Sequence, residues 1–179
     1  FSKVPIPREQ IYTIDPSLDP VACAKSYEST LSKICQNVID LAMLGMGPDG
    51  HTCSLFPEHP LLKENVLRVA SIIDSPKPPP QRITLTLRAI QEAKQVAFVA
   101  AGGGKSETIV QVLLNAKVDF SSEQTVCSYT SGVDADNGSL LPSSIVQKVA
   151  KETHWFVDKP AAEGILAKCD MAPTTSSSM

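Results

Sequence analysis

Val21, Ala24, Tyr27, Leu31 and Ile34 recur at the three-to-four-residue spacing of one helix face, and Asp19-Pro20 just before them offers an N-cap and a favoured first helical residue. The pattern predicts an amphipathic helix over about 20 to 36. At Val38-Ile39-Asp40-Leu41-Ala42-Met43-Leu44 the periodicity gives way to a nearly continuous apolar run stopped by Gly45, as in a parallel strand covered on both faces. Further strands are expected at 66–73, 82–87, 95–101 and 154–157, and helices at about 105–116 and 159–167. This alternation predicts an α/β fold. Ser75-Pro76-Lys77-Pro78-Pro79-Pro80 suits neither a helix nor a central strand and is expected to be an ordered loop leading into Arg82. Residues 118–141 are polar and rich in Ser, Asp and Gly, the tail 171–179 is expected to fray, and residues 1–170 read as one domain without internal repeats.

Composition narrows the possible partners. With 179 residues, 42% hydrophobic and 20% charged, the chain has the balance of one globular domain with an ample core. A net charge of -3 gives no electrostatic reason to expect nucleic acid or an anionic membrane as partner, so any anion must be gripped locally. No run approaches the roughly 18 apolar residues of a membrane span. The opening Phe1-Ser2-Lys3-Val4-Pro5 does not read as a signal peptide, and a cytoplasmic location is expected. Cys23, Cys35, Cys53, Cys127 and Cys169 are odd in number and form no C-x-x-C pair, which argues for free thiols over disulfides or a zinc cage. Asn137-Gly138-Ser139 is better read as a turn than as a glycosylation acceptor.

The candidate chemistry is concentrated after the apolar run. Gly45-Met46-Gly47-Pro48-Asp49-Gly50 is a literal G-x-G-x-x-G, but Pro48 lacks an amide donor, Asp49 would set a negative charge against a pyrophosphate, and Pro57 and Pro60 interrupt the helix that a dinucleotide site requires. What remains is a tight turn at the carboxyl end of a strand, where open α/β sheets present ligand-binding groups. That turn carries Asp49 and His51. An imidazole titrates near neutrality, so His51 is a candidate general base and Asp49 a candidate to orient it. The plainer alternative, a histidine that only satisfies the turn, is weakened by the strand-end setting. Cys53 and Ser54 lack a nucleophile-elbow pattern and read as packing residues. His51, Cys53 and His59 match no familiar metal spacing, so no metal is expected.

A second glycine-rich turn, Ala101-Gly102-Gly103-Gly104-Lys105-Ser106, precedes an apolar helical stretch. It is not a Walker A loop, which would need glycine where Val99 stands. A lysine beside bare amides at a helix start suits a monophosphate, although a simple turn with a solvated lysine accounts for the same residues. Arg82 offers a planar donor fork at the end of the proline-rich loop, and equally it could be an ordinary surface arginine.

Leu44-Gly45-Met46-Gly47-Pro48-Asp49-Gly50-His51-Thr52-Cys53-Ser54-Leu55-Phe56-Pro57, followed by Asp74-Ser75-Pro76-Lys77-Pro78-Pro79-Pro80-Gln81-Arg82-Ile83-Thr84-Leu85-Thr86, resembles the 6-phosphogluconolactonase family. Val4-Pro5-Ile6-Pro7, Gly102 to Lys105 and Trp155-Phe156-Val157-Asp158 extend the likeness to about residue 167, while 118–141 looks longer than usual. The resemblance implies a doubly wound, mainly parallel sheet flanked by helices, Rossmann-like and similar to glucosamine-6-phosphate deaminases. It implies a phosphorylated sugar lactone as substrate, hydrolysed to 6-phosphogluconate without a cofactor. By the same likeness His51 is the base and Asp49 its support, Lys105 and Arg82 hold the anionic substrate, and Gly47, Gly50 and Gly104 line it. Family members usually begin with a further stretch bearing a Ser/Gly-rich phosphate loop and an arginine motif, so Phe1 falls in mid-domain by this comparison. A deaminase would carry a glutamate five residues after the histidine, where this chain has Phe56. A non-catalytic sugar-phosphate sensor would keep Lys105 and have no use for His51. Oligomeric state leaves no mark in the sequence.

Overall fold

Asp19 opens helix α1 (Pro20–Cys35) as expected: its carboxylate accepts from the amides of Val21 at 2.9 Å and Ala22 at 3.0 Å, and Gln36 ends the helix in the left-handed conformation. The computed structural model describes residues 3–113, 127–129 and 141–170. After α1 come β1 (Leu41–Gly45), β2 (Val69–Ile72), β3 (Arg82–Leu85), α2 (Leu87–Glu92), β4 (Gln95–Ala100) and α3 (Ser106–Leu113). The remainder is β5 (Cys127–Tyr129), α4 (Pro142–Val149), β6 (Thr153–Val157) and α5 (Lys159–Asp170). The tail 171–179, the turn at Asn137-Gly138 and most of 118–141 fall outside the described residues.

The main sheet has the order β1-β4-β6-β5. β1, β4 and β6 run parallel, with Leu44 opposite Phe98 and Phe98 opposite Trp155, and β5 adds to β6 antiparallel. A mainly parallel sheet flanked by helices is thus present. Its core gathers Leu44, Phe98 and Trp155 from the strands with Ile90, Ile109, Val146 and Ile165 from α2, α3, α4 and α5. The Phe98 and Trp155 rings stack at 4.1 Å between centroids, and the Trp155 indole N–H donates to Gln147 of α4 at 2.7 Å.

Two expectations change. The run leading into β1 read as buried on both faces, yet burial alternates along the strand: Ala42 and Leu44 are in the core while Leu41 and Met43 are 47% and 71% exposed. Val99 and Phe156, on neighbouring strands, are also half exposed. The helices that build the core therefore share one face of the sheet. The segments at 66–73 and 82–87 do form strands, but β2 and β3 pair only with each other as an antiparallel ribbon. The loop between them turns the chain straight back, with the Ser75 amide bonded to the Pro80 carbonyl at 3.1 Å, so no parallel crossover is available. α1 packs on this ribbon.

Candidate active site

The turn after β1 is closed by its own backbone. Gly47 N–H donates to the His51 carbonyl at 2.9 Å, Gly50 N–H to the Gly47 carbonyl at 3.0 Å, and the buried Thr52 hydroxyl to the Gly45 carbonyl at 2.8 Å. Gly50 sits at φ 75°, and a Cβ there would also come within 2.8 Å of Leu141. A Cβ on Gly47 would run into the His51 ring and lie 2.6 Å from Asp49 Oδ1. Two helix starts then clamp the turn from outside: Thr108 of α3 donates to the Pro48 carbonyl at 2.6 Å, and Ser143 of α4 donates to the Gly50 carbonyl through its amide at 3.0 Å and its hydroxyl at 2.8 Å. His51 and Asp49 are thereby held together at the end of the strand, where the sequence placed them.

Their geometry assigns a tautomer. His51 Nδ1 lies 2.6 Å from Asp49 Oδ1, and Lys77 Nζ lies 2.8 Å from Asp49 Oδ2 and 3.3 Å from His51 Nδ1. Burial alone would raise the Asp49 carboxyl, but hydrogen bonds from Lys77 and His51 and the charge of His51 outweigh it and hold the group down at about 2. Asp49 is therefore a carboxylate across the neutral pH range. A bare lone pair on Nδ1 facing an anionic oxygen at that distance is disfavoured, so Nδ1 carries the proton and Nε2 is left as the basic nitrogen. Phe56, buried, stacks on the imidazole at 4.9 Å between centroids and fixes its plane.

Lys77 reaches the site without a signal in the sequence. Its neighbours Pro76, Pro78, Pro79 and Pro80 look like a spacer, and its partner in the fold is 26 residues away from it in sequence. Arg82 accounts for its delivery. The Arg82 guanidinium donates to the carbonyls of Lys77 at 2.7 Å, Pro78 at 2.9 Å and Pro79 at 2.9 Å, stapling the loop whose side chain reaches Asp49. The fork expected to grip substrate is thus engaged with backbone through Nε and Nη2, and its face lies over Phe56 at 5.5 Å.

The second glycine turn is split in its roles. The Gly102 amide is taken by the Asp158 carboxylate at 2.9 Å, which also accepts from Ala161 N at 3.0 Å in the first turn of α5. Gly103–Lys105 forms a short 3-10 turn into α3. A Cβ on Gly104 would meet nothing within 4 Å, so that backbone is open to an approaching group. Lys105 ends that turn three residues before Thr108, whose hydroxyl donates to the Pro48 carbonyl. The amides of Gly47 and Gly50 are used inside their turn, so their contribution is space and shape.

Cys53 and Ser54 pack, as expected. Burial pushes the Cys53 thiol up to about 11, and the Ser54 amide is bonded to the Thr84 hydroxyl at 3.0 Å. His59 accepts from the Leu61 amide and pairs with Asp74 at 3.2 Å, apart from the His51 pair. Among the described residues no three His, Cys, Asp or Glu side chains gather in a metal-holding group, and no helix is long and apolar enough to cross a membrane.

Comparison with known proteins places the whole chain rather than its individual site residues. Residues 1–155 match the family model described as glucosamine-6-phosphate isomerases/6-phosphogluconolactonase. The chain is 44% identical to the 6-phosphogluconolactonase of Rattus norvegicus, over 90% of this chain and 56% of that protein, and 41% identical to that of Homo sapiens, over 90% and 57%. Among solved structures, the 6-phosphogluconolactonase of Thermotoga maritima superposes with a TM-score of 0.64 at 28% identity, covering 88% of this chain and 60% of that one. A monomeric glucosamine-6-phosphate deaminase superposes with a TM-score of 0.53 at 17% identity, a likeness of fold. The chain spans somewhat over half the length of the curated relatives it matches. With most of its length matched by the family model and relatives above 40% identity over 90% of it, the chain belongs to the glucosamine-6-phosphate isomerase/6-phosphogluconolactonase family.

Proposed function

We propose that the protein hydrolyses 6-phospho-D-glucono-1,5-lactone to 6-phospho-D-gluconate, the second step of the oxidative pentose phosphate pathway, with His51 as general base. The observation that carries this reading is the His51–Asp49 pair at 2.6 Å, which leaves Nε2 as a free base at the end of β1. The names of the relatives supply the substrate. Nε2 takes a proton from water as the oxygen attacks C1, and the carbonyl becomes a tetrahedral oxyanion. The oxyanion collapses by breaking the bond from C1 to the ring oxygen, which receives the proton back from His51. Lys105, at the start of α3 beside the open backbone of Gly104, is assigned to the phosphate. Arg82 is assigned to the substrate side through the loop that it staples, and Gly47 and Gly50 to the bare floor of the turn.

Phe56 supports hydrolysis over ring-opening isomerisation, because the side chain against His51 is apolar and buried where an assisting acid would be required. No nucleic acid or membrane partner forms part of the reading, nor does a cofactor. A cytoplasmic setting belongs to the same proposal and is supported by the free thiols of Cys23, Cys35 and Cys53. The test is turnover of the phosphorylated lactone against unphosphorylated gluconolactone, each corrected for spontaneous hydrolysis. Much faster turnover of the phosphorylated substrate is expected, since its phosphate binding energy positions the carbonyl. Equal rates for the two lactones contradict the proposal.

A further inference from the structure

A carboxylate beside a histidine has two effects that pull against each other. It fixes the tautomer that leaves Nε2 free, and it also favours the protonated ring, which cannot act as a base. Here the carboxylate has a second partner, the Lys77 ammonium, at 2.8 Å from Asp49 Oδ2 and 3.3 Å from His51 Nδ1. With a neutral imidazole, Lys77 and Asp49 cancel; with an imidazolium, two cations crowd one carboxylate.

The loop holds Lys77 in that place rather than leaving it to wander. Arg82 bonds three successive carbonyls of the loop, and Ser75 bonds both the carbonyl of Lys77 at 2.8 Å and its amide at 3.3 Å. The other charged groups nearby do not contact the His51 ring: the Arg82 guanidinium is on Phe56, and Lys105 ends the 3-10 turn before α3, whose first turn carries Glu107 and which touches the His51 turn through Thr108.

We propose that Lys77 is a positioning residue, the countercharge that lets Asp49 orient His51 without holding its ring in the protonated form. This rests on the reading of His51 as the general base, and it adds a determinant of the pH range over which that base is available.

The test is the pH titration of the His51 ring by NMR in the full chain, in wild type, Lys77→Met and Lys77→Arg. The sequence has three histidines, so the His51 signals are assignable with a His51→Gln sample, and His59 and His154 serve as internal controls. Lys77 is 38% exposed, so its truncation leaves the core untouched. In Lys77→Met the His51 midpoint is expected to move up by about 1 pH unit, with the controls still, and Lys77→Arg is expected to restore it. The acid limb of the pH–rate profile should move the same way. An unmoved or lowered midpoint in Lys77→Met overturns the proposal. Because the titration needs no turnover, a shifted midpoint in a sample without lactonase activity rejects the hydrolysis reading and leaves the countercharge role standing.

Discussion

At Gly47 the site has no room for a methyl group, because a Cβ would enter the His51 ring and crowd Asp49 Oδ1. Gly47→Ala must therefore displace the pair, with an overpacking penalty of about 1 to 3 kcal/mol. Turnover is expected to fall well below wild type in a protein that still melts cooperatively, checked by activity and thermal unfolding on one sample. Asp49 gives a pH prediction. Its carboxyl is lowered from 3.8 to about 2, so its contribution to stability is present above about pH 4 and is lost as pH falls toward 2. The melting-temperature gap between wild type and Asp49→Asn should be open at pH 5 and close on acidification. Cys53, partly buried and with its thiol pushed up to about 11, should react with thiol reagents much more slowly than an exposed cysteine. His51 and Asp49 were legible because both stand in one strand-end turn. Lys77 was not, since its role depends on a loop folded back by Arg82, a contact that residue spacing does not encode.

Elements with local signals were the most readable. α1 follows from Asp19 and Pro20, and β4 and β6 from apolar runs of about the right length. α2 has six residues, too few to show a period, and depends on Thr86 as its cap; α4 begins on Pro142 directly after a polar stretch and is equally hard to read from the sequence. The separate β2–β3 ribbon could not be inferred either, because an apolar strand reads alike in either sheet. α3 offers the element-level test. Thr108→Val removes the 2.6 Å hydrogen bond to the Pro48 carbonyl while keeping the side-chain shape, and should cost about 0.5 to 1.5 kcal/mol by denaturant unfolding. Turnover should drop as the turn loosens. Stability and activity equal to wild type would mean that the clamp does not hold the site.

Across the whole molecule the site is an assembly of distant parts: β1 supplies the turn, α3 and α4 clamp it, and the proline loop brings Lys77. The sheet beneath it is anchored by Phe98 and Trp155, fully buried and stacked, so Phe98→Ala should destabilise by about 3 to 5 kcal/mol in thermal or denaturant unfolding. Lys105→Ala, by contrast, should leave the fold intact and weaken 6-phosphogluconate binding by about 1.5 to 3 kcal/mol in calorimetry. The most direct measurement is turnover of 6-phospho-D-glucono-1,5-lactone by wild type and His51→Ala, with the spontaneous reaction subtracted. A loss of roughly 10² to 10⁴ in kcat with ligand binding largely retained is expected if His51 is the base. Wild-type turnover in a folded His51→Ala protein would contradict it.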